Sequence, residues 1–161
     1  MTTAQQVIDK FLGIVYDTNM ITPQIVIDTS VIVAALRSRR GASYKLLALI
    51  DSDKFATNVS VPLVLEYEDA AKRLTGQIAL TARDIDHILD YVCAVASHHA
   101  VFYLWRPFLK DPKDDMVLEL AVSAGCDFIV TYNQRDFEGA EQFGIGAITP
   151  KEFLQKIGEL P

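Results

Sequence analysis

Short apolar runs without polar alternation recur along this chain, separated by stretches patterned as amphipathic helices. IVI (25–27) and FIVTY (128–132) are the clearest. A run of that kind is a strand covered on both faces, and such strands belong to parallel sheets. KFATNVS (54–60) reads as a further strand, with VFYLW (101–105) and Ala147–Ile148 as short ones. Between them lie helical patterns. Thr29 or Ser30 caps a helix running to about Leu36, and Ser43 caps one from Tyr44 to about Ile50. Pro62 sits in the first turn of a helix reaching about Leu74, with Val64, Leu65 and Ala71 inward. Thr81 caps a helix over 82–98, whose stripe of Ile85, Ile88, Leu89, Val92 and Val95 is ordinary core packing. Residues 115–124 form a helix stopped by Gly125, and Pro150 opens the last one. Strands alternating with helices specify an α/β fold with a mostly parallel sheet and right-handed crossovers.

That topology gives one residue special weight. In IVIDTSVIVAAL (25–36) the single charge is Asp28, directly after the first strand. Open α/β sheets bind their ligands at the carboxyl ends of the strands, which is where Asp28 falls. Its alternative role is that of a helix cap, yet Thr29 and Ser30 can fill it. Three further places carry acids. Glu66 lies in VPLVLEYEDA among apolar neighbours, and its competing reading is a surface glutamate. Asp114 and Asp115 open the helix of DPKDDMVLELA, where the helix dipole alone would favour them. Asn133 and Asp136 follow the strand of VTYNQRDF and could be turn residues. Brought to one edge, such carboxylates repel unless a proton or cation intervenes. An all-oxygen group of three or four suits Mg²⁺ or Mn²⁺.

Composition removes other classes. At 161 residues, half hydrophobic and 22% charged, the chain is a globular domain with a sizeable core. No apolar run reaches the roughly 18 residues of a membrane span, and no signal-peptide pattern opens the sequence, so the expected location is the cytoplasm. A net charge of −6 argues against a protein held on nucleic acid by overall charge, but not against an acid cluster that receives a cation. Cys93 and Cys126 form no CxxC pair and read as core thiols. His98 and His99 are read as adjoining a helix end, where cations are favoured. A phosphatase with an Asp after its first strand would need a second acid at position 30, which is Ser. GxSxG, GxxxxGK and GxGxxG motifs are missing from the sequence.

Three separated segments, IVIDTSVIVAAL, VPLVLEYEDAAKR and DPKDDMVLELAVSAGCDFIVTYNQRDF, together resemble the PIN-domain family over about residues 24–155. The resemblance is to its bacterial branch of toxin components of toxin–antitoxin pairs, the VapC-like ribonucleases. It implies a PIN-like three-layer α/β/α sandwich with a central, mostly parallel sheet over residues 23–161. It implies a metal-dependent endoribonuclease, with RNA as substrate and Mg²⁺ or Mn²⁺ as cofactor. By position, Asp28 matches the first acid, Glu66 the second and Asp114 the third, with Asp115 the near alternative. Asn133 stands where the family often has aspartate, and Asp136 can supply the charge. Thr29 and Thr131 match hydroxyl positions beside the pocket. On this reading Asp28, Asp114, Asp136 and Asn133 hold the metal, Glu66 positions metal or water, and water attacks phosphorus in line. Arg37, Arg39 and Arg40 could hold RNA phosphates, against the reading of a solvated loop. The resemblance also implies a homodimer and a small antitoxin partner. A PIN-fold module that binds RNA or protein without cutting is the alternative. Residues 1–22 lie outside the motif. Val7, Ile8, Phe11, Leu12 and Val15 predict an amphipathic N-terminal helix there.

Overall fold

A computed structural model describes residues 21–101 and 107–161. The N-terminal helix expected within 1–22 and the strand expected at 101–105 fall almost wholly outside them. Among the described residues, five strands form one sheet, in the spatial order β3-β2-β1-β4-β5. They are β1 (Gln24–Ile27), β2 (Ala56–Val59), β3 (Ser97–His98), β4 (Phe128–Val130) and β5 (Gly146–Ile148). Every pairing is parallel, with Ile25, Val26 and Ile27 of β1 opposite Phe128, Ile129 and Val130 of β4. The helices are α1 (Thr29–Arg37), α2 (Ala42–Ala48), α3 (Val61–Lys72), α4 (Ala82–Val95), α5 (Pro112–Ser123) and α6 (Pro150–Lys156).

The layers follow from the strand order. The connections from β1 to β2 and from β2 to β3 step one way along the sheet. The connection to β4 steps back across it. Right-handed crossovers therefore put α1 to α4 on one face and α5 on the other, giving a PIN-like α/β/α sandwich. The order reverses between β1 and β4, so the crevice at their carboxyl ends is the topological switch point.

β1 is the centre of the core. Ile25, Val26 and Ile27 are wholly buried, as are Ile129 and Val130 beside them. Each contributes roughly 1.5–3 kcal/mol by burial. Tyr67 of α3 is equally buried, and its hydroxyl donates a hydrogen bond to the Ile27 carbonyl. That bond ties α3 to the last residue of β1, next to Asp28. Cys126 is buried and its thiol is pushed up to about 12 by desolvation, the state of an inert core thiol.

Several local expectations are corrected. Neither Thr29 nor Ser30 caps α1; both lie inside it, and Asp28 is the residue at the cap position. Ser43 lies one residue inside α2, where its Oγ meets the Tyr132 hydroxyl at 2.7 Å, and Gly41 precedes the helix. Leu65 points outward, 58% exposed, because Leu63, Tyr67 and Ala71 form the inward stripe of α3. α4 stops at Val95, so His98 belongs to β3 rather than to a helix end, and His99 Nε2 bonds Asn58 Oδ1 at 2.8 Å. α5 begins at Pro112, earlier than expected, since Asp111 caps it by accepting from Lys113 N at 2.9 Å. The capping boxes of Thr81–Asp84 and Thr149–Glu152 start α4 and α6.

Candidate active site

Asp28 leaves β1 with extended backbone and makes no side-chain cap to α1. A free cap position with a carboxylate that declines it is a first sign of another use. The carboxylate is 7% exposed and is held by two hydroxyls. Ser30 Oγ donates to Oδ2 at 2.7 Å and Thr131 Oγ1 donates to the same oxygen at 2.8 Å. Thr131 follows β4, so this contact crosses the switch point. Its hydroxyl also accepts from Asn133 N at 2.9 Å, and Tyr132 N donates to Ser30 Oγ at 3.3 Å. Both side-chain hydroxyls engage Oδ2, and neither engages Oδ1.

Glu66 comes from the second turn of α3. Its Oε2 is buried without a hydrogen-bond partner, as is Thr29 Oγ1. Burial raises its pKa first, and the negative charge of Asp28 adds to the rise. Lys113 and the nearby Thr29 hydroxyl pull it back, while Asp111 pushes it up again. A buried carboxylate oxygen left without a donor costs free energy unless something outside the chain meets it.

Asp114 joins from the first turn of α5. Its pKa is raised to about 7, by burial first and then by the charges of Asp136, Asp111, Asp28 and Glu66 in that order. The structure therefore brings Asp28, Glu66, Asp114 and Asp136 into one electrostatic neighbourhood. Asp136 reaches it from the 3-10 turn Gln134–Phe137 that follows β4, where it is exposed. Asn133 precedes that turn and is also exposed.

Asp115 does something else. It is 8% exposed, and its Oδ1 accepts from Phe108 N at 3.2 Å and Leu109 N at 2.8 Å. It fastens the segment before α5, and its neighbour Asp114 is left to face the other acids. Phe108 in turn stacks edge-on with Phe143, 5.3 Å between ring centroids, and lies against Gly139. A Cβ on Gly139 would stand 3.0 Å from the Phe108 ring, and the glycine's φ of +102° disfavours any side chain there. The acid-bearing start of α5 and the turn region after Asp136 are thereby packed together.

The arginines sit apart. α1 carries Asp28 before its first residue and Arg37 as its last, about 13 Å along the axis at 1.5 Å per residue. Arg37, Arg39 and Arg40 are exposed at that far end, and the structure does not bring them to the acids.

Sequence reasoning missed three contributors. Ser30 holds Asp28, Asp111 charges the neighbourhood from the cap of α5, and Lys113 is the cation that opposes it. Ser30 carried a readable signal. Two residues past an acid that declines to cap, a hydroxyl on the first helical turn can reach back to it.

The donors fit a hard divalent cation in kind, being carboxylates with one orphaned buried oxygen and mutual repulsion that a cation would relieve. As placed, no three His, Cys, Asp or Glu side chains among the described residues are gathered into one coordination shell. No helix among the described residues is long and apolar enough to cross a membrane.

A family model described as PIN domain matches residues 24–135, well over half of the chain and the whole span from β1 to Asn133. No curated protein matches the chain.

Proposed function

The chain belongs to the PIN-domain family, and on that premise we propose that it is a metal-dependent endoribonuclease acting at the Asp28 edge of the sheet. PIN domains are generally nucleases, and those nucleases usually use divalent metals. The observation that carries the reading is the raised Asp114, pushed to about 7 by burial and, after it, by four other carboxylates that converge on the switch point. Convergent like charge is costly in a folded protein and is characteristic of functional sites.

Asp28, Asp114 and Asp136, with Asn133 beside them, would hold Mg²⁺ or Mn²⁺. A cation bound there offsets charge on a phosphodiester and polarises an attacking water. The protein's own groups account for the rest. Ser30 and Thr131 fix Asp28 through Oδ2, so that its second oxygen is presented in one orientation. Glu66, with an unpaired oxygen and a raised pKa, would accept a proton from water or orient it. The arginines of the far end of α1 could engage backbone phosphates well away from the cleaved bond, a positioning role that carries no base recognition.

Within this reading the protein is the toxin of a toxin–antitoxin pair, acts as a homodimer in the cytoplasm and is held in check by a small antitoxin protein. Its support is the resemblance of the three sequence segments. A second reading, a PIN-fold module that binds RNA or protein without cutting, is favoured by two observations. The acids are not closed into one shell, and Asn133 replaces an expected acid.

The test is Mn²⁺-dependent cleavage of a mixed single-stranded RNA pool by the wild type beside Asp28→Asn. Removing a carboxylate from the centre of the site should lower cleavage by about 100-fold or more, in the range of losing one strong charge-stabilising contact. No cleavage by either protein, with no Mn²⁺ binding by calorimetry, would leave the binding module as the function.

A further inference from the structure

An apolar groove of about 710 Å³ lies between the end of α1, α2, the 77–80 segment and residues 87–92 of α4. Leu36, Leu47, Leu80 and Ile88 line it, and Tyr44 and Tyr91 flank it, 41% and 48% exposed. It lies toward the far end of α1 from Asp28, so the acid site has no use for it. Apolar surface collected into a groove of this size marks a place where something binds.

The chain itself carries a matching segment. Residues 1–20 precede β1, and within them Val7, Ile8, Phe11, Leu12 and Val15 recur at helical spacing. That pattern puts five apolar side chains on one stripe, the form in which a helix is read by a groove. The segment holds Asp9 and Asp17 against one lysine, Lys10, and the groove is edged by Arg37 and Arg39. Position agrees as well. β1 runs from Gln24 toward Asp28, and α1 returns, ending at Arg37. The groove and the start of β1 therefore share the amino end of the sheet. Residues 16–20 span up to about 17 Å when extended, roughly two helix-to-helix spacings of 8–10 Å. A tether that short keeps the segment at high effective concentration around the groove.

We propose that the apolar stripe of residues 7–15 docks as a helix in this groove of its own chain, covering it in cis. The groove is then an internal binding site, filled by a segment of the same chain. This inference stands apart from the nuclease reading and does not depend on any cleavage.

Hydrogen exchange of the full-length protein tests it, wild type beside Phe11→Asp/Leu12→Asp. The expected result is amide exchange in residues 7–15 and 77–80 at least ten-fold faster in the variant. Amides of β1 and β4 should be unchanged, and the wild-type protection should persist over a 100-fold dilution. Equal exchange in the two proteins would overturn the proposal. So would wild-type protection that fades on dilution, because a second copy would then be supplying the segment. Should the variant also loosen β1 and β4, a Leu12→Cys/Leu47→Cys protein decides. An intramolecular crosslink on mild oxidation supports docking in cis, and a crosslink formed only between chains refutes it.

Discussion

β1 and the edge it runs into are one residue apart and obey opposite rules. From Ile25 to Ile27 every side chain is wholly buried against apolar partners, and the strand is paired on both sides. At Asp28 the apolar packing ends and carboxylates begin to face one another, with Glu66 Oε2 and Thr29 Oγ1 buried and unpartnered close by. The strand is where the free energy of folding is gathered, and the edge is where some of it is given up. The edge can afford poor local energetics because Tyr67 and Thr131 bolt it to the strands behind it.

The largest effect should come from the stable side of the contrast. Ile27→Ala removes a wholly buried side chain from the centre of the sheet and should cost about 2–5 kcal/mol in chemical denaturation. A loss below about 1 kcal/mol would mean that β1 is not the stabilising centre. Next comes Asp115→Ala, the acid that is structural. It leaves the Phe108 and Leu109 amides without their acceptor and should cost about 1–3 kcal/mol. A stabilising outcome would place Asp115 among the repelling acids.

The effect sharpest in sign belongs to Asp114. Its pKa is raised from 3.8 to about 7 in the folded protein. The folded state thus holds that proton more tightly than the unfolded chain does. The stabilising contribution is fully present below about 4 and is lost as pH rises through about 7. In metal-free buffer Asp114→Asn should therefore match the wild type near pH 4 in this respect and gain on it by pH 8. Added Mn²⁺ should close the gap at pH 8 if a cation settles among the acids. Denaturation curves at the two pH values check both statements, and a variant less stable than wild type at pH 8 would contradict the repulsion.

Much of this was legible in the sequence, for physical reasons that can be named. IVI and FIVTY read as doubly covered strands because β-branched runs without alternation leave no polar face. Asp28 followed from topology, since the residue after the first strand of a parallel sheet must lie at its carboxyl edge. Glu66, Asp114 and Asp136 were singled out by type and position, and the structure brings their charges together. What was not legible depended on distant packing. Leu65 and Tyr67 are both apolar-faced residues of one helix, and only the sheet beneath decides that Tyr67 turns inward. Asp114 and Asp115 are adjacent and chemically alike. The Phe108–Leu109 backbone claims one of them, which no local pattern announces. The capping of α1 was misread because Asp28, which occupies the cap position, spends its carboxylate on Ser30 and Thr131.

The small gap at Gly139 has a consequence for how this site can vary. The Phe108 ring fills the space a Cβ would take and packs on Phe143, joining the segment that leads into Asp114 to the one that follows Asp136. The separation of those two acids is therefore governed by ring size and by a missing methyl group, neither of which belongs to the acid set. Exchanging the ring at 108 for a smaller side chain would resize the opening with every carboxylate still in place. Mg²⁺ and Mn²⁺ differ chiefly in radius and in how strictly they demand their geometry. If the acids hold a cation as proposed, its preference between ions would drift through hydrophobic substitutions that a search for changed ligands would pass over.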